Sequence, residues 1–248
     1  MAQQQVGGEA RRDTGHDPGH DTGGSLERRA RTYSALGEPV RLAVVDELVV
    51  SDRSPTELAH RFGLPSNLLA HHLDVLERAG LVERFVSSGD RRRRYVRLRR
   101  AAFDGLTVGH GRRPGRMLFV CSLNSARSQL AAALWRSRTG HAASSAGTRP
   151  TTRVHPGAVA AAERAGIDLR GAVPRSLGPV ADGTQLVTVC DQAHEELAPP
   201  DTVWHWSIPD PVATGTDRAF DAAVRALDER ISDLVRSDRS ETGADPDE

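Results

Sequence analysis

Apolar residues recur along the chain in two patterned stretches. From Glu27 onward, Tyr33 and Leu36, then Val40, Leu42, Val45 and Leu48, fall at helical intervals, and Gly37-Glu38-Pro39 breaks the run into two helices. Ser54-Pro55-Thr56-Glu57 supplies an N-cap, a proline for the first turn and a capping-box glutamate, opening a short helix that ends near Gly63. Pro65-Ser66-Asn67 opens the next helix, carried by Leu68, Leu69, Leu73 and Leu76 to Gly80. The period then drops to two: residues 81–86 and 94–98 alternate as strands about the turn Ser87-Ser88-Gly89-Asp90. Two helices, a tight turn and a hairpin predict a winged helix-turn-helix over residues 27–105.

The second stretch follows a Gly-, Arg- and Pro-rich segment, 106–116, that reads as a linker. Met117-Leu118-Phe119-Val120 suits a buried parallel strand, and so does Leu186-Val187-Thr188-Val189; Trp204-His205-Trp206 offers a third. Helical patterns cover 128–138, 157–165 and 217–236, the last with Phe220, Val224, Leu227, Ile231 and Leu234 on one face. Strands alternating with helices predict an α/β domain with a parallel sheet over 117–237. The expected fold class is thus an α+β winged helix-turn-helix followed by an α/β domain. Residues 1–26 have no apolar period and read as a disordered tail, and 238–248 as an acidic one. His16, Asp17, His20 and Asp21 carry ligand chemistry, but nothing preorganises them, so no metal site is expected.

Composition sharpens this division. No run approaches the roughly 20 apolar residues of a membrane span, and the opening MAQQQVGGEA lacks the apolar segment of a secretion signal. Two cysteines in 248 residues exclude a disulfide framework, so a cytoplasmic setting is expected and each thiol is chemistry or packing. The formal net charge of zero conceals an asymmetry: residues 27–116 hold 18 Arg against 11 acidic residues, and residues 117–248 hold 13 Arg against 18. A basic half of this kind points to nucleic acid. All 33 basic residues are arginine, which reflects GC-rich coding rather than function.

In a helix-turn-helix the second helix enters the major groove with its first residues nearest the bases. Those are Ser66, Asn67, Ala70 and His71; asparagine reads adenine, and serine meets bases or phosphate. Arg91, Arg92, Arg93 and Arg94 on the hairpin are placed for phosphate or the minor groove, a solvated basic turn being the plain alternative. Residues 30–100, most specifically ALGEPVRL and HHLDVLERAGLV, resemble the ArsR-type bacterial repressors. The resemblance implies a homodimer on a double-stranded, palindromic DNA operator. Arsenite-sensing relatives open the third helix with Cys-x-Cys, where this chain has Ser54 and Thr56. Without soft thiolates that sensor is missing. His72 reads as a packing or phosphate-binding residue, and His71 as a groove residue.

Cys121-Ser122-Leu123-Asn124-Ser125-Ala126-Arg127-Ser128 lies between the first strand and the following helix. A loop there aims successive N–H groups at one point, forming an anion nest that favours a thiolate. Arg127 offers a planar fork to two oxygens of a tetrahedral oxyanion. Ser128 has a hydroxyl to give the Cys121 sulfur, and Asn124 a side chain to brace the loop. Asp210-Pro211, 89 residues beyond Cys121, supplies a proton donor if the fold brings it over the loop.

Residues 117–236 resemble the low-molecular-weight tyrosine phosphatase fold, and specifically its arsenate reductase branch. LFVCSLNSARSQLAAAL, SSAGTRP, VHPGAV, AGIDL, LVTVCDQAHEE and HWSIPDP carry the resemblance. It implies Cys121 as nucleophile, Arg127 as oxyanion ligand and Asp210 as acid, with a thiol–arsenate adduct reduced by a second thiol. Thioredoxin-coupled relatives use Cys-x6-Cys; its first member maps to Cys190, but Leu197 takes the place of the second. Either Cys190 resolves the adduct or an outside thiol does, such as mycothiol with mycoredoxin; otherwise Cys190 is a small buried residue. No bound cofactor is expected. Two other functions stay open: a protein tyrosine phosphatase fused to a regulator, and a non-catalytic repressor sensing oxyanions or oxidation. Against phosphotyrosine, Val212 and Ala213 follow the Asp-Pro, and both tyrosines, Tyr33 and Tyr95, lie in the other domain.

Overall fold

The computed structural model describes residues 22–103 and 115–239. Most of the expected linker, the histidines at 16 and 20, and most of the C-terminal tail lie outside the described residues. The N-terminal unit runs α1 (Thr22–Leu36), α2 (Pro39–Val50), α3 (Pro55–Phe62), α4 (Ser66–Arg78), β1 (Val82–Val86), β2 (Arg94–Leu98) and a 3-10 turn (Arg100–Phe103). α1 starts at Thr22, inside the stretch expected as tail; TGGS is too poor in helix formers to signal a start. The capping box at α3 closes both ways: Ser54 Oγ accepts the Glu57 N–H at 3.2 Å, and Glu57 accepts the Ser54 N–H at 2.6 Å. Gly63 ends the helix in the left-handed region (φ 62°). β1 and β2 pair antiparallel with Val82 opposite Leu98. Val44, Val45, Leu48, Leu58, Leu69, Leu73, Leu76 and Val96 form the core. Leu42 and Leu68, expected on inner stripes, are exposed, whereas His72 is buried against Glu38.

The second unit runs β3 (Arg116–Cys121), α5 (Arg127–Thr139), β4 (Ala143–Gly147), α6 (Pro156–Arg164), β5 (Thr184–Thr188), α7 (Asp191–Leu197), β6 (Trp204–His205), α8 (Pro211–Thr214) and α9 (Asp217–Arg239). Its four strands are parallel in the order β4-β3-β5-β6, which sets the C-terminal ends of β3 and β5 side by side. Parallel strands burdened with helices bury both faces: Phe119, Val120, Leu130, Trp135, Val187, Trp206, Phe220, Leu227 and Ile231 fill the core. β4 (ASSAG) has no branched residue to announce a strand, and its pairing comes from β3.

The two units share a polar joint, made where Ser51-Asp52-Arg53, between α2 and α3, runs along β6. The Asp52 N–H reaches the His205 carbonyl at 2.7 Å, and the His205 N–H reaches Ser51 Oγ at 2.8 Å. The fully buried Asp52 carboxylate accepts two 2.7 Å contacts from Arg230 of α9 and the Ser207 N–H at 2.8 Å. Arg53, also buried, donates to the carbonyls of Val203 and Asp201 and pairs with Glu47 at 2.7 Å, while its backbone bridges Val96 of the hairpin. Arg100 pairs with Asp233. Buried charges persist only when paired and hydrogen-bonded, and here Asp52 takes its partners from the opposite unit while Arg53 is shared between Glu47 of its own unit and carbonyls of the other. Among the described residues, no helix is long and apolar enough to cross a membrane.

Candidate functional site

β3 ends at Cys121 and α5 begins at Arg127, so the loop between them closes over a helix N-terminus. The Cys121 sulfur receives the Asn124 N–H at 3.2 Å and lies 3.0 Å from Ser128 Oγ. Ser128 Oγ already accepts Asn124 Nδ2–H at 2.8 Å, which leaves its own hydrogen for the sulfur. Asn124 sits in the left-handed region (φ 49°), and its Oδ1 is tied to the Arg175 N–H at 2.8 Å and to Gln129 Nε2 at 3.1 Å. Those bonds offset a backbone conformation that costs a non-glycine residue of the order of 1 kcal/mol or more.

The loop carbonyls are taken from outside. Those of Cys121, Ser122, Leu123 and Ser125 accept the N–H groups of Thr148, Arg149, Thr151 and His155 at 3.1, 2.8, 3.0 and 2.8 Å. A planar trans peptide points its C=O and the next N–H in opposite directions, so carbonyls held outward turn the N–H groups toward the concave side. Gly147 makes this approach possible: a Cβ there would fall 2.8 Å from the Ser122 carbonyl oxygen and 3.0 Å from Asn124 Cβ.

Arg127 is buried. Its Nη1 donates to the Ile208 carbonyl at 3.0 Å and its Nη2 lies 3.1 Å from Asp210 Oδ2. Asp210, 89 residues from the cysteine, caps α8 by accepting the Val212 N–H at 3.1 Å. Cys190, also buried, caps α7: its sulfur accepts the Ala193 N–H at 3.4 Å and the Ser122 N–H at 3.3 Å. Burial pushes the Cys190 thiol up, against the pull of Arg127. Cys121, Arg127, Asp210 and Cys190 are thus gathered about one loop, and Ser122, Leu123, Asn124, Ser125, Ala126 and Ser128 form it.

On the N-terminal unit, Ser66, Asn67, Ala70 and His71 lie exposed at the start of α4, and Arg91, Arg92, Arg93 and Arg94 are exposed on the hairpin. The turn before those arginines is engaged by α7, which the sequence reading did not assign. Asp191 accepts the N–H and hydroxyl of Ser88 at 2.6 and 2.9 Å. Glu195 accepts the Ser87 hydroxyl at 2.6 Å and the Asp90 N–H at 2.7 Å. Gln192, between them, accepts the Ser122 hydroxyl at 3.3 Å.

Beneath lie His194 and His205, stacked with centroids 4.2 Å apart, both Nδ1 atoms within 3.0 Å of Thr188 Oγ1. Their Nε2 atoms face Glu57 at 3.3 Å and Asp191 at 3.1 Å. Burial opposes ionisation of Glu57, but bonds from His194 and Ser54 outweigh it and hold its carboxyl down at about 2. Asp191, opposed by burial in the same way, is held well below the usual carboxylate range chiefly by His205. Among the described residues, no group of three or more His, Cys, Asp or Glu side chains is arranged to hold a metal ion.

A family model described as low molecular weight phosphotyrosine protein phosphatase matches residues 116–242, and one described as helix-turn-helix domain matches residues 36–84. No curated protein matches the chain. Among solved structures, an arsenate reductase in the phosphate-binding state is 27% identical over 49% of this chain and 96% of its own, with a TM-score of 0.44. A tyrosine phosphatase of Erwinia amylovora is 20% identical over 51% and 95%, TM-score 0.44. A YwlE mutant from Bacillus subtilis is 24% identical over 50% and 98%, also at 0.44. With the phosphatase model spanning just over half of its length, and the strand–loop–helix at Cys121 inside that span, the chain belongs to the low molecular weight phosphotyrosine protein phosphatase family, joined here to an N-terminal helix-turn-helix domain.

Proposed function

We propose that the chain is a transcriptional regulator and arsenate reductase in one polypeptide, reducing arsenate to arsenite through Cys121. The observation that carries this reading is the Cys121 sulfur itself, bonded by the Asn124 N–H and the Ser128 hydroxyl inside a loop in which four carbonyls are tied to the segment 148–155. Fixed donors aimed at one point stabilise charge that develops there without reorganising. The Cys121 thiolate attacks arsenic, Arg127 holds two of its oxygens, and a third oxygen leaves as water with a proton from Asp210. A second thiol then attacks the Cys121 sulfur; the electrons of the sulfur–arsenic bond stay on arsenic, giving arsenite and a disulfide. Burial, by raising the Cys190 thiol, favours an outside thiol such as mycothiol as that second nucleophile.

The N-terminal domain, by its likeness to ArsR-type repressors, binds operator DNA as a homodimer with Ser66, Asn67, Ala70 and His71 in the major groove and Arg91 to Arg94 on the backbone. Affinity then falls steeply with salt; a flat salt response removes the arginines from the interface.

The second reading is a tyrosine phosphatase fused to a regulator, favoured by the family's own description. Against it, Val212 and Ala213 follow Asp210-Pro211, where an aromatic wall for a phenol ring would stand. Purified protein assayed with arsenate, using thioredoxin or mycothiol with mycoredoxin, beside p-nitrophenyl phosphate, separates the two. Arsenite production supports the first; phosphate release without it supports the second.

A further inference from the structure

The hairpin turn and α7 meet in a contact that the oxyanion loop does not require. Four donors of the turn, the hydroxyls of Ser87 and Ser88 and the N–H groups of Ser88 and Asp90, all end on the carboxylates of Asp191 and Glu195, at 2.6 to 2.9 Å. The fit is close enough that a Cβ on Gly89 would fall 2.5 Å from Glu195 Oε2 and 3.0 Å from the Gln192 nitrogen. Backbone N–H and serine hydroxyl groups beside a run of arginines are the donors that hold DNA phosphates. Here anionic oxygens from the acidic domain already occupy them. Arg92 is likewise turned back on Asp90, at 3.1 Å.

We propose that α7 is a built-in competitor of DNA for the wing: the turn 87–90 binds either Asp191 and Glu195 or the phosphates of a duplex, not both. The inference rests on the reading of the N-terminal domain as DNA-binding and adds how that binding is restrained. A phosphate brought to Ser88 would have to displace Asp191, and one brought to the Asp90 N–H would have to displace Glu195; like charges so close repel strongly in a half-buried setting. The exposed start of α4 is untouched by this contact, so the closed protein keeps its base-facing residues while its wing is masked. α7 starts beside Cys190, whose sulfur holds the Ser122 N–H, so the helix that masks the wing also abuts the oxyanion loop.

The test uses the full-length reduced protein, a fluorescent duplex carrying the sequence upstream of its own gene, and hydrogen exchange of the peptide spanning residues 86–93. Glu195→Gln removes one competing charge; Gly89→Ala removes none, but sets a methyl against Glu195 Oε2 and the Gln192 backbone and so forces the turn off the same helix. Both variants are expected to bind the duplex about tenfold tighter, the size of one lost charge-assisted bond, and to exchange faster across the turn. Unchanged exchange in both overturns the hold of α7 on the wing. Faster exchange with wild-type affinity overturns the competition. Absence of duplex binding by the wild type and both variants overturns the DNA reading itself, a result distinct from the other two.

Discussion

The oxyanion loop at 121–127 and the wing turn at 87–90 both offer backbone N–H groups to an acceptor, under opposite conditions. The loop is clamped by its own domain: four carbonyls tied by the segment 148–155, Asn124 braced on three sides, and a helix N-terminus behind. Its geometry is independent of what arrives. The wing turn is closed by its own bonds through Ser87 Oγ and the Asp90 carbonyl, but its outward donors end on two carboxylates of the neighbouring domain. A preorganised nest is suited to chemistry, in which donors must stand still while charge develops. A turn held from outside is suited to exchange of one anionic partner for another.

The comparison is broken most directly at Cys121. Cys121→Ser should cut arsenate turnover by at least about 10^4-fold, measured as arsenite release, with duplex affinity unmoved. Loss of both would show that the two turns are not independent. Asp210→Asn removes the proton donor and is expected to lower the maximal rate by roughly 10^2- to 10^4-fold while the protein still binds phosphate, read by calorimetry. Asp52→Ala leaves the Arg230 guanidinium buried without its partner and should cost about 3–5 kcal/mol in denaturant melts. Gly147→Ala presses a methyl against the Ser122 carbonyl and should cost about 1–3 kcal/mol, together with a slower reaction.

The smallest effect expected is on acid stability. Glu57 titrates near 2 in the fold against an ordinary 4.5, so it contributes stability that is present above 4.5 and lost as the pH falls toward 2. Glu57→Gln should therefore flatten the decline of the denaturation midpoint across that window, and a decline as steep as that of the wild type would assign it to other carboxylates, Asp191 first.

The oxyanion loop was legible because its logic is local. An apolar strand, a cysteine, five residues, an arginine and a helix are contiguous, and the capping box at Ser54 is equally self-contained. Asp210 needed a fold to bring it to Arg127; an Asp-Pro is common in turns, and it gained weight as the acid only beside the Cys121 loop and the resemblance. The joint was illegible for the same reason. Ser51-Asp52-Arg53 reads as a polar break between two helices, and the partner that makes Asp52 a buried anchor stands 178 residues away. α7 (DQAHEEL) is short and polar, with only Ala193 and Leu197 against the core and no apolar stripe to announce it, and its carboxylates meet the hydrogen-bonding groups of the hairpin turn. The segment 106–116 reads only as a linker, whereas the described contacts between the units run through the joint and α7.

The charged seam at Asp52 also bears on how the protein can be handled. Cutting the polypeptide at residues 104–114 would strip Asp52 and Arg53 from one product and Arg230 from the other, stranding ions that folded together. Either fragment would have to hydrate or neutralise what it inherits, and neither would present the surface it has in the parent. Genetic separation of the halves therefore measures two new proteins, and it is point substitution in the whole molecule that measures this one.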